Sequence, residues 1–283
     1  MNNETNLFLD LIKNKRVALV GPSSSLLKQN YGSIIDSYDI VIRINKFHVL
    51  ISKPEIYGKR TDILYHNFSI WHFPDKIKTE LTKIKLIKAL PLQSKNLDEK
   101  NMKINNLPNF NKCVKKMCNL QFEKYSEEIY NKFFLSNIWK GLWYGGWPTA
   151  GFFSMIELLY FLNDIKELGI FGIDFCTYHH ENTYTQTWTS DNGTFGDVHN
   201  MINEFYKFKE IYQKIDINLK KKIKIYDKDF LYLLKQSPLK QYGSWVLFYS
   251  NGRPALRNRD TGRMIWKPQP FPFSIPVHEK IGL

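Results

Sequence analysis

The sequence predicts an α/β protein built on a Rossmann-like, mostly parallel twisted sheet flanked by helices. Short apolar runs of strand length, RVALV (16–20), DIVIRIN (39–45) and TDILYHN (61–67), alternate with stretches of helical character. That alternation is the signature of a doubly wound sheet. The chain has 283 residues, 43% of them hydrophobic, which is enough to bury the core of one large domain or two small ones.

Each element follows from local pattern. RVALV is a buried strand, and GPSSS after it turns into a short helix that ends before Tyr31-Gly32. DIVIRIN is a second strand ending in Asn45, and TDILYHN is a third. A helix around 75–83 leads into the strand KIKLIKAL. Residues 91–112 are polar, hold Pro91 and Pro108, and read as a surface loop; 113–133 read as a helix. Gly146-Trp147-Pro148 is a turn, Ala150–Leu162 a helix and ELGIFGI (167–173) a strand. Residues 175–197 carry no periodic pattern, and long loops in compact domains are usually functional. His199–Tyr212 reads as a helix and KIKIY (222–226) as the last strand. No internal repeat is visible.

Composition divides the chain at residue 240. Residues 1–240, the expected single α/β domain, hold three arginines, whereas 241–283 hold four and five of the twelve prolines. This C-terminal extension reads either as a strap or as a segment foreign to the gene, and it is left out of the site. Three cysteines, Cys113, Cys118 and Cys176, make no disulfide framework and suit a reducing cytosol. The N-terminus lacks the basic and apolar regions of a signal peptide, and no window reaches the roughly 18 apolar residues of a spanning helix. A cytoplasmic chain is expected. Its net charge of +13 favours anionic partners: nucleic acid, an anionic membrane surface, or phosphorylated and acidic ligands.

Four constellations carry chemistry. In VALVGPSSSL, Gly21 is followed by Ser23 and Ser24 at a helix start, where backbone N–H groups and hydroxyls suit a nucleotide phosphate or ribose. The same stretch suits an ordinary turn with a serine cap. In YGSIIDSYDIVIRINKF, Arg43 and Asn45 sit near a carboxyl strand end, facing either a ligand crevice or, on an edge strand, solvent. In WYGGWPTAGFFSMIELL, Thr149 and Gly151 open a helix, as ligand donors or as a cap. The fourth is Tyr178, His179 and His180, followed by His199 and Glu204. Histidine spacing does not match a zinc site, so no metal is expected. Asp227-Lys228-Asp229 looks like a metal-binding Asp-x-Asp, but it precedes FLYLLKQ and reads better as a helix cap.

Together these segments resemble the sialylmotif-containing sialyltransferases of glycosyltransferase family 29, of bacterial or viral type. Residues 16–45 look like the large motif, with its glycine turn, Tyr-Gly, Ile-Asp-Ser and Arg-x-Asn ending. YGKRTDILYHN (57–67) resembles the segment after it, and residues 146–174 the small motif. Tyr178-His179-His180-Glu181 sits where motif III belongs, and His199 with Glu204 fits the His-x4-Glu of the very small motif. The chain departs from the family at Pro22, which replaces the usual Asn, and at Pro148-Thr149-Ala150-Gly151, which replaces Pro-Ser-Thr-Gly. The cysteines that usually link the large and small motifs are absent; Val17 stands near the first. The pattern also resembles the bacterial sialyltransferases of family 42.

The resemblance implies a sialyltransferase-type variant of the GT-A fold and an inverting, metal-independent transfer from a CMP-activated donor. The sugar would be sialic acid or a related acidic sugar such as Kdo, and the acceptor a glycan or glycolipid hydroxyl. It implies no cofactor beyond the donor. His199 would be the general base with Glu204 as its orienter, and His180 or His179 would bond the departing phosphate. Gly21, Ser23, Ser24 and Asn45 would hold the nucleotide; Thr149, Gly151 and Tyr178 would complete the donor site. A peripheral contact with the anionic inner face of a membrane is also compatible with the charge. Two other classes compete with this one. A nucleic-acid-binding protein needs a lysine stripe interleaved with exposed aromatics, and here lysines are scattered. A Rossmann oxidoreductase needs Gly-x-Gly-x-x-Gly after the first strand, which is missing.

Overall fold

The computed structural model describes residues 7–67, 78–90, 97–98, 103–104, 122–124, 128–129, 148–173, 201–235, 241–242, 245–250, 253–258 and 264–266. Helix α1 (Leu7–Ile12) precedes β1 (Arg16–Val20), a 3-10 turn (Ser24–Lys28), α2 (Gly32–Asp36) and β2 (Ile40–Ile44). Then come α3 (Phe47–Leu50), α4 (Pro54–Tyr57), β3 (Ile63–His66), α5 (Lys78–Leu81) and β4 (Leu86–Ala89). The short pair β5 (Leu97–Asp98) and β6 (Lys103–Ile104) is antiparallel, and β7 (Phe122–Lys124) follows. The second half runs α6 (Ala150–Tyr160), β8 (Glu167–Phe171), α7 (Met201–Lys214), α8 (Ile217–Lys220), β9 (Ile223–Ile225) and α9 (Lys228–Lys235). Strands β10 (Gln241–Tyr242), β11 (Trp245–Ser250), β12 (Arg253–Asn258) and β13 (Met264–Trp266) form their own antiparallel sheet in sequence order.

Among the described residues the main sheet has seven strands in the order β7-β4-β3-β2-β1-β8-β9, and their pairings are parallel. The expected Rossmann-like, mostly parallel α/β sheet is therefore present. From β1 the chain builds outward through β2, β3, β4 and β7, then returns to lay β8 on the other side of β1. The switch point lies between β1 and β8. In open parallel sheets the ligand crevice lies at that point, outside the carboxyl strand ends.

Strand composition explains the sheet. A parallel sheet is covered on both faces, so its strands are apolar throughout rather than alternating. Val17 and Leu19 of β1, with Ile40, Ile42 and Ile44 of β2, pack with Phe8 and Ile12 of α1, Phe152 and Ile156 of α6, Phe205 and Phe208 of α7, and Phe230 of α9. Ala18 and Val20 face the other way, with Val41, Phe171, Leu26, Ile35, Tyr38 and Tyr57.

Three expectations are corrected. The helix expected over 113–133 gives way at Phe122–Lys124, which pair with β4 as an edge strand. The reason is tertiary: Glu123 meets the buried Lys88 ammonium at 2.8 Å and accepts the N–H of Phe8 at 2.8 Å. Leu97–Asp98 and Lys103–Ile104 form a small ladder inside the stretch read as loop. Arg43 neither lies on an edge strand nor reaches solvent. Strand β2 is internal, and Arg43 is fully buried, donating from Nη2 to the carbonyls of Tyr57 (2.6 Å) and Gly58 (3.1 Å) and from Nε to that of Arg60 (2.9 Å). Burial pushes this guanidinium down to about 10; its role is to tie the loop before β3 to the sheet.

Candidate functional site

At the switch point the ends of β1 and β8 come into backbone contact. Gly21 N–H donates to the Phe171 carbonyl at 2.8 Å, and Ser23 N–H to the Gly172 carbonyl at 3.1 Å. A Cβ on Gly21 would lie 2.4 Å from the Gly172 oxygen and 2.4 Å from Ile173 Cγ1, so only glycine fits there. Gly172 itself has φ +60°, the left-handed region that glycine adopts without strain. Ile173 reaches on to α6: a Cβ on Gly151 would sit 3.4 Å from Ile173 Cγ2 and 3.7 Å from Ile44 Cδ1. Gly21, Gly151 and the end of β2 thus share one edge.

Asn45 closes the β2 side. Its φ of +46° is left-handed, where Asn is among the few residues tolerated. The backbone N–H donates to the Tyr65 carbonyl at 2.9 Å, and the side-chain Oδ1 accepts from Asn67 N–H at 3.1 Å. Chemistry leaves its carboxamide two N–H donors beyond that acceptor.

The threonine turn is held by a carboxylate from α7. Thr149 caps α6, its Oγ1 accepting from Phe152 N–H at 3.1 Å. Glu204, with none of its surface exposed, accepts both the Thr149 N–H and the Thr149 hydroxyl, each at 2.7 Å. A carboxylate at a helix N-terminus also complements the helix dipole. These bonds make Glu204 a clamp on the α6 start; the orienter role expected of it concerns His199, which lies outside the described residues.

The serine turn is capped by its own first serine. Ser23 is 1% exposed, and its hydroxyl donates to Ser25 Oγ at 3.0 Å while accepting Ser25 N–H at 3.1 Å. Ser25 in turn donates to Asp227 Oδ2. Tyr57 O–H donates to the Ser23 carbonyl at 3.2 Å. The Ser23 hydroxyl is thus engaged by both the hydroxyl and the N–H of Ser25. Asp227 also accepts Phe230 N–H at 2.9 Å, so the capping reading of the Asp-x-Asp stretch holds for Asp227. Its bond to Ser25 was illegible in the sequence; the available signal was a carboxylate directly after the last parallel strand. Ser24 begins the 3-10 turn.

Of the expected site residues, Gly21, Ser23, Ser24, Asn45, Thr149, Gly151 and Glu204 gather at the carboxyl edge of the sheet. Tyr178, His179, His180 and His199 lie outside the described residues. Among the described residues, no three His, Cys, Asp or Glu side chains are grouped to hold a metal ion, and no helix is long and apolar enough to cross a membrane. A separate open cleft of about 430 Å³ is lined by Phe47, Arg60, Thr61, Asp62 and Glu80 among others. Its Arg60 guanidinium is engaged by the carbonyls of Asp36, Tyr38 and Asp39 and by Asp62, which makes those groups structural.

Residues 9–215 match the family model of glycosyltransferase family 29 (sialyltransferase). The chain belongs to that family. The match spans the whole crevice edge from β1 to α7, and as a member of this family the protein is a glycosyltransferase. No curated protein matches it in sequence. Among solved structures it is similar to a mammalian sialyltransferase in complex with Gal-beta-1-3GalNAc-ortho-nitrophenol (18% identity, TM-score 0.46, covering 78% of this chain and 72% of that one). It is also similar to an alpha-2,3-sialyltransferase from Campylobacter jejuni in apo form (16%, TM-score 0.47, covering 81% and 80%). A monofunctional alpha-2,3-sialyltransferase of Campylobacter jejuni gives 16%, a TM-score of 0.49 and coverage of 81% and 83%.

Proposed function

We propose that this glycosyltransferase moves sialic acid, or a related acidic sugar such as Kdo, from a CMP-activated donor to a glycan or glycolipid hydroxyl with inversion. The observation that carries the reading is the meeting of two strand-to-helix turns at one switch point. Gly21 lies against Ile173, Ile173 against Gly151, and Thr149 is clamped by Glu204. Glu204 is also the glutamate of the His199-x4-Glu204 pattern on which the resemblance rests.

In this reading the nucleotide lies over the β1 turn and Asn45, with the sugar toward Thr149 and Gly151. Tyr178 completes the donor pocket. Phosphate is a good leaving group, and oriented donors, among them His180 or His179, hold its developing charge without a metal. The difficult step is deprotonating the acceptor hydroxyl. A histidine titrating near ~6.5 is suited to take that proton at neutral pH, and this is assigned to His199. Glu204 acts one step back, fixing the α6 start against which the donor rests. No cofactor beyond the donor is required. The net charge of +13 fits a cytoplasmic enzyme that meets its acceptor at an anionic membrane surface.

Thermal-shift measurements with CMP, UMP, GDP and NAD test the donor. CMP should raise the melting temperature and the others should not, since only a ligand of the native state stabilises it. His199→Ala should keep CMP binding and lose transfer by ~10²–10⁴-fold. A fully active His199→Ala enzyme would refute the base assignment, and stabilisation by NAD alone would return the oxidoreductase reading.

A further inference from the structure

The family match ends at residue 215, yet the serine turn is held by a group beyond it. Asp227 follows β9, the last strand on the far side of the switch point, and is 4% exposed. Its Oδ2 accepts the Ser25 hydroxyl, 202 residues away in sequence, and Oδ1 accepts Phe230 N–H. Ser25 in turn accepts the Ser23 hydroxyl. A chain of three side chains thus runs from the β9–α9 junction across to the end of β1.

We infer that Asp227 is a positioning residue for donor binding: through Ser25 and Ser23 it sets the conformation of the turn that the nucleotide rests on. This rests on the CMP-donor reading above. The physical case has three parts. First, a carboxylate only accepts, so Ser25 must donate to it, and the direction of the whole chain is fixed. Second, hydrogen bonds to a charged acceptor are stronger than neutral ones, so the turn is held in one arrangement. Third, the Asp227 charge reaches a neighbouring element: Tyr31, whose hydroxyl donates to the Tyr226 carbonyl at 3.2 Å, has its pKa raised by burial first and by Asp227 second. A cap alone would need neither Ser25 nor this reach.

The test separates positioning from capping. Asn is as good an N-cap as Asp, so Asp227→Asn keeps α9 while removing the charged acceptor. CMP affinity, measured by calorimetry on the full chain, should fall about five- to tenfold. Ser25→Ala, a milder change, should lower affinity similarly, Ser25→Thr should restore it, and Asp227→Asn with Ser25→Ala should be no weaker than the weaker single variant. Asp216→Asn is the control: Asp216 caps α8, before β9 at the amino edge of the sheet, by accepting Asn218 and Leu219 N–H. It should leave CMP affinity unchanged. Wild-type affinity in Asp227→Asn and Ser25→Ala, or strictly additive losses, would overturn the inference while leaving the donor reading intact. A wild-type chain that does not bind CMP would overturn the donor reading and this inference with it.

Discussion

At the crevice, Glu204 and Asp227 each accept a backbone N–H and a hydroxyl from the described residues. On the α6 face of the sheet, Glu157 is met by an ammonium. Lys88 of β4, 1% exposed, lies 3.1 Å from Glu157 Oε1 and 2.8 Å from Glu123 Oε1, with its Nζ 4.7 Å from the Phe8 ring centroid. Tyr65 O–H donates to the other oxygen of Glu157. The difference is one of purpose. Neutral donors are directional and hold particular backbone atoms at particular points, which a ligand edge requires. An ammonium is a compact charge with three rotatable donors, able to tie β4, β7 and α6 together with less demand on angle.

The comparison predicts a graded set of losses. The largest belongs to the ionic cluster. Lys88→Met strands a buried carboxylate on Glu157 and should cost about 3–5 kcal/mol in urea unfolding. Adding Glu157→Gln should recover part of that cost. A loss under about 1 kcal/mol for Lys88→Met would erase the distinction drawn here, because the cluster would then be no more than a surface-like pair.

Glu204→Ala comes next, at about 1.5–3 kcal/mol, because it leaves the N–H and hydroxyl of Thr149 without their charged acceptor. Glu204→Gln keeps one accepting oxygen and should lose less. If both variants melt with the wild type, the clamp on α6 is dispensable and the directional reading of the crevice fails.

The smallest effect is a slope with pH. Burial raises the Glu157 carboxyl above its ordinary 4.5, against the opposing pull of Lys88 and Tyr65. The folded chain then holds this proton more tightly than the unfolded chain. The stabilisation is complete below 4.5 and is lost as pH rises through the folded value. Wild-type stability relative to Glu157→Gln should fall across that window in parallel denaturation curves. A rising difference would mean that Lys88 outweighs burial.

The strands of the sheet other than β7 were legible because each is a largely apolar run, and a parallel strand buried on both faces needs little else. The crevice edge was legible because Gly21, Asn45, Thr149 and Gly151 stand at the ends of such runs or at a helix start, where parallel topology gathers them. What only the tertiary structure decided was who meets whom. Glu204 reads locally as a helical residue off the face of His199, and it clamps Thr149, 55 residues away. Asp227 reads locally as a cap, and it also anchors Ser25. Arg43 reads as a crevice or solvent residue, and it is fully buried under the carbonyls of residues 57–60. Residues 122–124 read as helix and form a strand, because a free edge of β4 and a buried ammonium were waiting for them. Periodicity and propensity act over a few residues, whereas a polar group buried by folding takes its partner from whatever chain the fold brings beside it.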